Sequence, residues 1–121
     1  MLSLTTHDVS TTSVKQLWSY ESTCPDGGSF NYVMQTGLAM DLSASIIAVG
    51  SWGCGGTTGS VLAFKGVNGN GQPVLEATLP GQVWAVDADV DATNGKHMWV
   101  AAGSWETEDK AFPAQCTVWT V

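Results

Sequence analysis

Leu38-Ala39-Met40-Asp41 followed by Ile46-Ile47-Ala48-Val49-Gly50-Ser51-Trp52, and Trp84-Ala85-Val86-Asp87 followed by Trp99-Val100-Ala101-Ala102-Gly103-Ser104-Trp105, are two writings of one phrase. Each is followed by a short apolar run, Val61-Leu62-Ala63-Phe64 in the first copy and Cys116-Thr117-Val118-Trp119 in the second. Self-similarity at a spacing of roughly 20 to 50 residues or slightly more marks a repeat architecture, because one such unit cannot bury its own apolar face and needs neighbours.

Around these copies the pattern is that of strands and turns. Short runs of β-branched and aromatic residues are punctuated by the 14 glycines and by serine and threonine, and helical spacing never persists for three turns. The reading places strands at 15–22, 32–42, 46–52, 60–65, 73–79, 82–90, 98–105 and 115–121. Loops fall at 23–29, where Cys24-Pro25-Asp26-Gly27-Gly28 favours a turn, and at 53–59, 67–72, 91–96 and 106–114. The polar, threonine-rich residues 1–14 read as a frayed or disordered end.

Composition narrows the function classes. The chain has 121 residues, 44% of them hydrophobic, which is enough apolar material for a core. Four basic residues stand against 11 acidic ones, and a net charge of −7 argues against a phosphate backbone as partner. No run approaches the ~20 apolar residues of a membrane-spanning helix, and the first 13 residues have neither the basic start nor the apolar centre of a secretory signal.

The segment Val83 to Asp87 with Gly95 to Ser104 resembles the first two strands of a blade in the WD-repeat and related quinoprotein-like β-propellers. The resemblance runs from Lys15 to the C-terminus. It implies an all-β chain of two four-stranded antiparallel propeller blades, residues 15–66 and 67–121, in the strand order d-a-b-c-d-a-b-c, forming part of a larger propeller or of an oligomeric ring. Gly28-Ser29 and Gly81-Gln82 stand where WD repeats often carry Gly-His, and Trp52-Gly53 and Glu106 where an acidic turn residue is usual. Phe64 and Trp119 occupy the place of the family's strand-c tryptophan and read as packing residues. Asp91, Gly95, Lys96 and Trp99 match a docking motif of pyrroloquinoline-quinone propellers, with Asp89 and Asn94 departing from it. That motif docks a tryptophan between blades whether or not quinone is held, and no cofactor is expected here.

Other constellations point to ordinary structure. Asp87, Asp89 and Asp91 alternate like the start of a calcium loop, but Ala92 and Met98 stand where glycine and glutamate are required, so the carboxylates read as a solvated face and no metal is expected. His7 and His97 are the two candidate bases, one in the polar terminus and one in a turn, and no catalytic residue is assigned. Gly53 to Gly59 lacks the ending of a phosphate-cradling loop.

The expected function is therefore that of a non-enzymatic scaffold with a protein partner. Its candidate binding residues are Trp52 and Trp105, which end equivalent strands and either form a rim for recognition or cap the core beneath their own loops. A carbohydrate-binding propeller and a fragment of a quinoprotein-type oxidoreductase are the alternatives. Cys24 and Cys54 lie on loops expected at the same face and form a disulfide if their Cα atoms come within about 7 Å; three reduced thiols is the competing expectation. Two blades would leave sheet faces uncovered, so the chain is expected to be completed by further residues or by further copies of itself.

Overall fold

A computed structural model of the chain describes residues 2–10, 12–22, 24, 30–31, 37–54, 58–91, 93, 95, 97–106 and 110–121. Among them there is no helix. The strands are β1 (Leu2–Asp8), β2 (Lys15–Ser22), β3 (Phe30–Asn31), β4 (Leu38–Met40), β5 (Ile46–Ser51), β6 (Gly53–Cys54), β7 (Thr58–Lys65), β8 (Pro73–Pro80), β9 (Val83–Val90), β10 (Met98–Ser104) and β11 (Gln115–Thr120). All named strand pairs are antiparallel.

The all-β, antiparallel reading holds. The strands form one four-stranded sheet in the order β4-β5-β7-β8, one three-stranded sheet β9-β10-β11, and the two-stranded pairs β1-β2 and β3-β6. Among the described residues one sheet has four strands and the next has three, and the described sheets do not close into a ring. Strand β2, expected as the outer strand of a blade, is paired along its length with β1. The segment expected to fray is thus a strand. Its polarity is an alternation, with Ser3, Thr5 and His7 exposed and Leu4 turned inward against the core. The boundary drawn at 66/67 also falls inside a sheet, because β8 pairs with β7.

The sheets stack as three layers. Ile47 and Val49 of β5 with Leu62 and Phe64 of β7 pack against Trp18, Leu4, Leu17 and Tyr20 of the β1-β2 hairpin. Trp18 stacks on Phe64 at 5.5 Å and donates its indole N–H to the Gly66 carbonyl at 2.8 Å. The alternate residues Ile46, Ala48, Val61 and Ala63 pack against Val83, Ala88, Val100 and Ala102 of the next sheet. Strands buried on both faces need unbroken apolar runs, which is why this region reads IIAV and VLAF, whereas β11, with one covered face, alternates. The layers meet closely at Gly50, where an added Cβ would sit 2.5 Å from Val83 Cγ1 and 2.7 Å from Val86 Cγ1.

Packing also fixes how the two copies correspond. Phe64 lies opposite Ile47, and Trp119 opposite Val100, so the two aromatics are equivalent. Both face the preceding layer: Phe64 is buried, and Trp119 is partly buried against the core. Ala48 and Ala101 are likewise equivalent, yet Ala48 is paired with Ala39 while Ala101 is paired with Asp87. The lettered match of Leu38 to Asp41 with Trp84 to Asp87 is therefore two residues out of step with the sheet register. A slip of two preserves the face of every side chain, so the text can slide without disturbing the core.

Candidate tryptophan site

Trp52 leaves the end of β5 between two fixed points. On one side Ser51 is buried, its hydroxyl 2.8 Å from that of Ser60 and accepting the Gly53 N–H at 3.1 Å. On the other, Gly53 adopts φ +71°, and a Cβ there would overlap the Thr58 carbonyl, so only glycine makes this turn. The next residue, Cys54, is joined in a disulfide to Cys24, with Cα atoms 5.7 Å apart. Cys116 is a free, exposed thiol.

Trp105 leaves the end of β10 in the equivalent way. Its N–H donates to the Gln82 carbonyl at 2.8 Å, and the Gly81 N-terminal to it is held by a 2.6 Å bond from the Gly59 N–H to its carbonyl. Gly81, at φ +81°, passes so close beneath Trp105 that a Cβ would overlap the Trp105 carbonyl. The serines before the two tryptophans differ in their partners. Ser104 Oγ is buried without a hydrogen-bond partner among the described residues, because Gln115 stands opposite it where Ser60 stands opposite Ser51.

The two expected site residues are brought together by a third. Trp84 lies between them, its ring centroid 5.6 Å from that of Trp52 and 5.9 Å from that of Trp105, with planes inclined by 36° and 47°. A bulge puts it there. Gly103 pairs with Ala85 and Ser104 with Val83, so Trp84 is the extra residue on β9, and the bulge re-aims its side chain toward the sheet ends. Trp105 is 59% exposed and Trp84 38%, while Trp52 is half-buried. The row of rings is thus partly core cap and partly open surface. Sequence reasoning passes over Trp84; the available signal is that the second copy places tryptophan where the first has Leu38.

The remaining candidates fall elsewhere. Trp99, expected to dock between blades, lies on the outer face of the last sheet and is 42% exposed. Asp87 and Asp89 each accept a hydrogen bond from the backbone N–H that follows, at Ala88 and Val90. Asp91 accepts from Thr93 and closes the β9–β10 turn. Asp41 does the same for the β4–β5 turn, taking the backbone N–H groups of Ser43, Ser45 and Ile46 and the Ser43 hydroxyl. Burial pushes the Asp41 carboxyl up, and these hydrogen bonds outweigh it, holding the group below its ordinary value. His7, on β1, and His97, before β10, are both exposed. No protein-family model, curated protein or solved structure matches the chain.

Proposed function

We propose that this chain is a β-propeller-type repeat module, completed by further residues or further copies, that serves as a non-enzymatic scaffold for protein binding. The observation that carries the reading is the convergence of the two Gly-Ser-Trp copies on Trp84, which makes one aromatic surface from two repeats. Such a surface suits recognition. Tryptophan is enriched among residues that dominate interface energies, and these three are held by strand ends, a bulge and glycine turns rather than by a free loop. Completion by a neighbour is supported by the far end of the stack, where the polar outer face of the β1-β2 hairpin contrasts with Trp99 and Val118 on the open face of the β9-β10-β11 sheet.

The test is selection of a random peptide library on the folded protein, repeated on Trp105→Ala. Peptides recovered with the first and lost with the second support a peptide-binding surface; recovery that ignores Trp105 refutes the site. Exposed tryptophan also stacks on sugar rings, so a glycan array on the same two proteins is the arm that would favour a lectin. Light scattering after size exclusion reads the assembly.

A further inference from the structure

We propose that the Trp52–Trp84–Trp105 surface takes an arginine side chain of an extended, basic peptide segment. The inference rests on the protein-binding reading of that surface and names the chemistry of its partner.

Three features of the rings point to a flat cation. Tryptophan has the strongest cation-attracting face among the aromatic side chains, and here three lie in one row. Their centroids are 5.6 and 5.9 Å apart and their planes inclined by 36° and 47°, so neighbouring rings pack against each other. Rings in mutual contact leave no pocket between their faces for a compact ammonium group. What remains accessible is the outward surface of Trp84 and Trp105, which a planar group can cover by stacking. Guanidinium is planar, stays charged at all physiological pH values, and is less strongly hydrated than ammonium, so it loses less by lying on an indole.

Charge agrees with this geometry. Glu106, exposed, follows Trp105 directly, and the exposed Asp87 lies three residues from Trp84 on the same strand. Of the lysines among the described residues, Lys15 is at the start of β2, paired with Asp8 of the capping hairpin, Lys65 is at the end of β7 remote from Trp52, opposite Ile46 rather than Ser51, and Lys110, exposed, follows Trp105 by five residues and offsets part of the Glu106 charge. The whole chain carries −7, which raises the local concentration of a basic partner and lowers that of an acidic one. A neutral sugar would gain nothing from this field.

The partner is extended because the rings form a row along sheet ends rather than a closed cavity. An arginine laid across Trp84 and Trp105 leaves its fork free to meet a carboxylate, and Glu106 is the nearest in sequence.

The experiment is fluorescence anisotropy of dye-labelled Gly-Ser peptides carrying two arginines, with lysine and citrulline versions of the same peptide. Saturable binding of the arginine peptide is expected, with lysine weaker by about threefold or more and citrulline weaker still. Trp105→Ala should weaken it by about fivefold or more, and Glu106→Gln should weaken it less while flattening its salt dependence. Both positions are exposed, and an unchanged circular dichroism spectrum will confirm that each variant is folded. Equal binding of the arginine and citrulline peptides, no saturable binding of the arginine peptide, or indifference to Trp105→Ala would overturn the proposal. Trp105-dependent capture of neutral or acidic peptides from the library, with no response to arginine, overturns the arginine assignment and leaves the scaffold reading standing; glycan binding with no peptide binding removes both.

Discussion

Gly50 and Gly103 occupy the same place in the two copies of the repeated phrase, and the stack gives them opposite surroundings. Replacing Gly50 by alanine puts a methyl group 2.5 Å from Val83 Cγ1 and 2.7 Å from Val86 Cγ1, about 1 Å inside ordinary carbon contact. Val83 is fully buried and cannot swing away, so the two sheets must part. Overpacking of this kind costs about 1–3 kcal/mol, against which the stiffer unfolded chain returns about 0.4–1 kcal/mol. The net loss should be about 1–2 kcal/mol, a fall in Tm of about 4–8 °C for a domain of this size. At Gly103 an added Cβ meets no atom within 4 Å, so in the monomer the same substitution should be neutral or stabilising by about 0.5 kcal/mol. Urea and thermal unfolding, followed by tryptophan fluorescence and circular dichroism at dilutions where the chain is monomeric, compare the pair directly. A silent Gly50→Ala would refute the layered packing. An equal cost at both positions would show that something covers the outer face of the last sheet.

Two further outcomes follow from the described contacts. The Cys24–Cys54 bridge spans 30 residues, for which chain entropy gives about 3.6 kcal/mol, so Cys24→Ser with Cys54→Ser should lower the urea midpoint by about 2–3 M, and the denatured, non-reduced protein should titrate one thiol; three thiols would remove the bridge. Asp41 has its folded-state value below the ordinary 3.8, so the stability it contributes is complete above the unfolded value and is lost as pH falls through the folded one. Asp41→Asn should cost about 1 kcal/mol at pH 7 and flatten the loss of stability below pH 4, read from urea midpoints across that range; equal acid slopes in both proteins would contradict the assignment.

The strands of the core were legible because burial on two faces leaves an unmistakable mark: IIAV and VLAF leave no solvent side, and β5 and β7 fall where those letters stand. The second strand of the first hairpin was legible at 15–22, but its first strand was not, because threonine and serine signal a solvated tail as readily as the outer face of a strand, and only Leu4 meeting the core beside Trp18 distinguishes the two. The slip of two residues between Leu38 and Trp84 was invisible for the same reason that it is harmless. Residue letters keep their face under an even shift, and register is decided by hydrogen bonding that the letters do not record. Trp52 and Trp105 could be paired by their shared Gly-Ser context, whereas Trp84 required the bulge, which exists only once β9 and β10 are aligned.

A sheet enclosed on both sides has consequences for how this chain can change over generations. On β11 or β8 every second position faces outward, and a mutation there can be absorbed by water. On β5, buried along its whole length, no position offers that refuge, and a polar newcomer must either be satisfied inside or part the layers. Two copies that began alike would therefore drift at different rates according to their place in the stack. The inner copy holds Ile46 and Val61, and the equivalent positions of the outer copy are Trp99 and Cys116, both exposed.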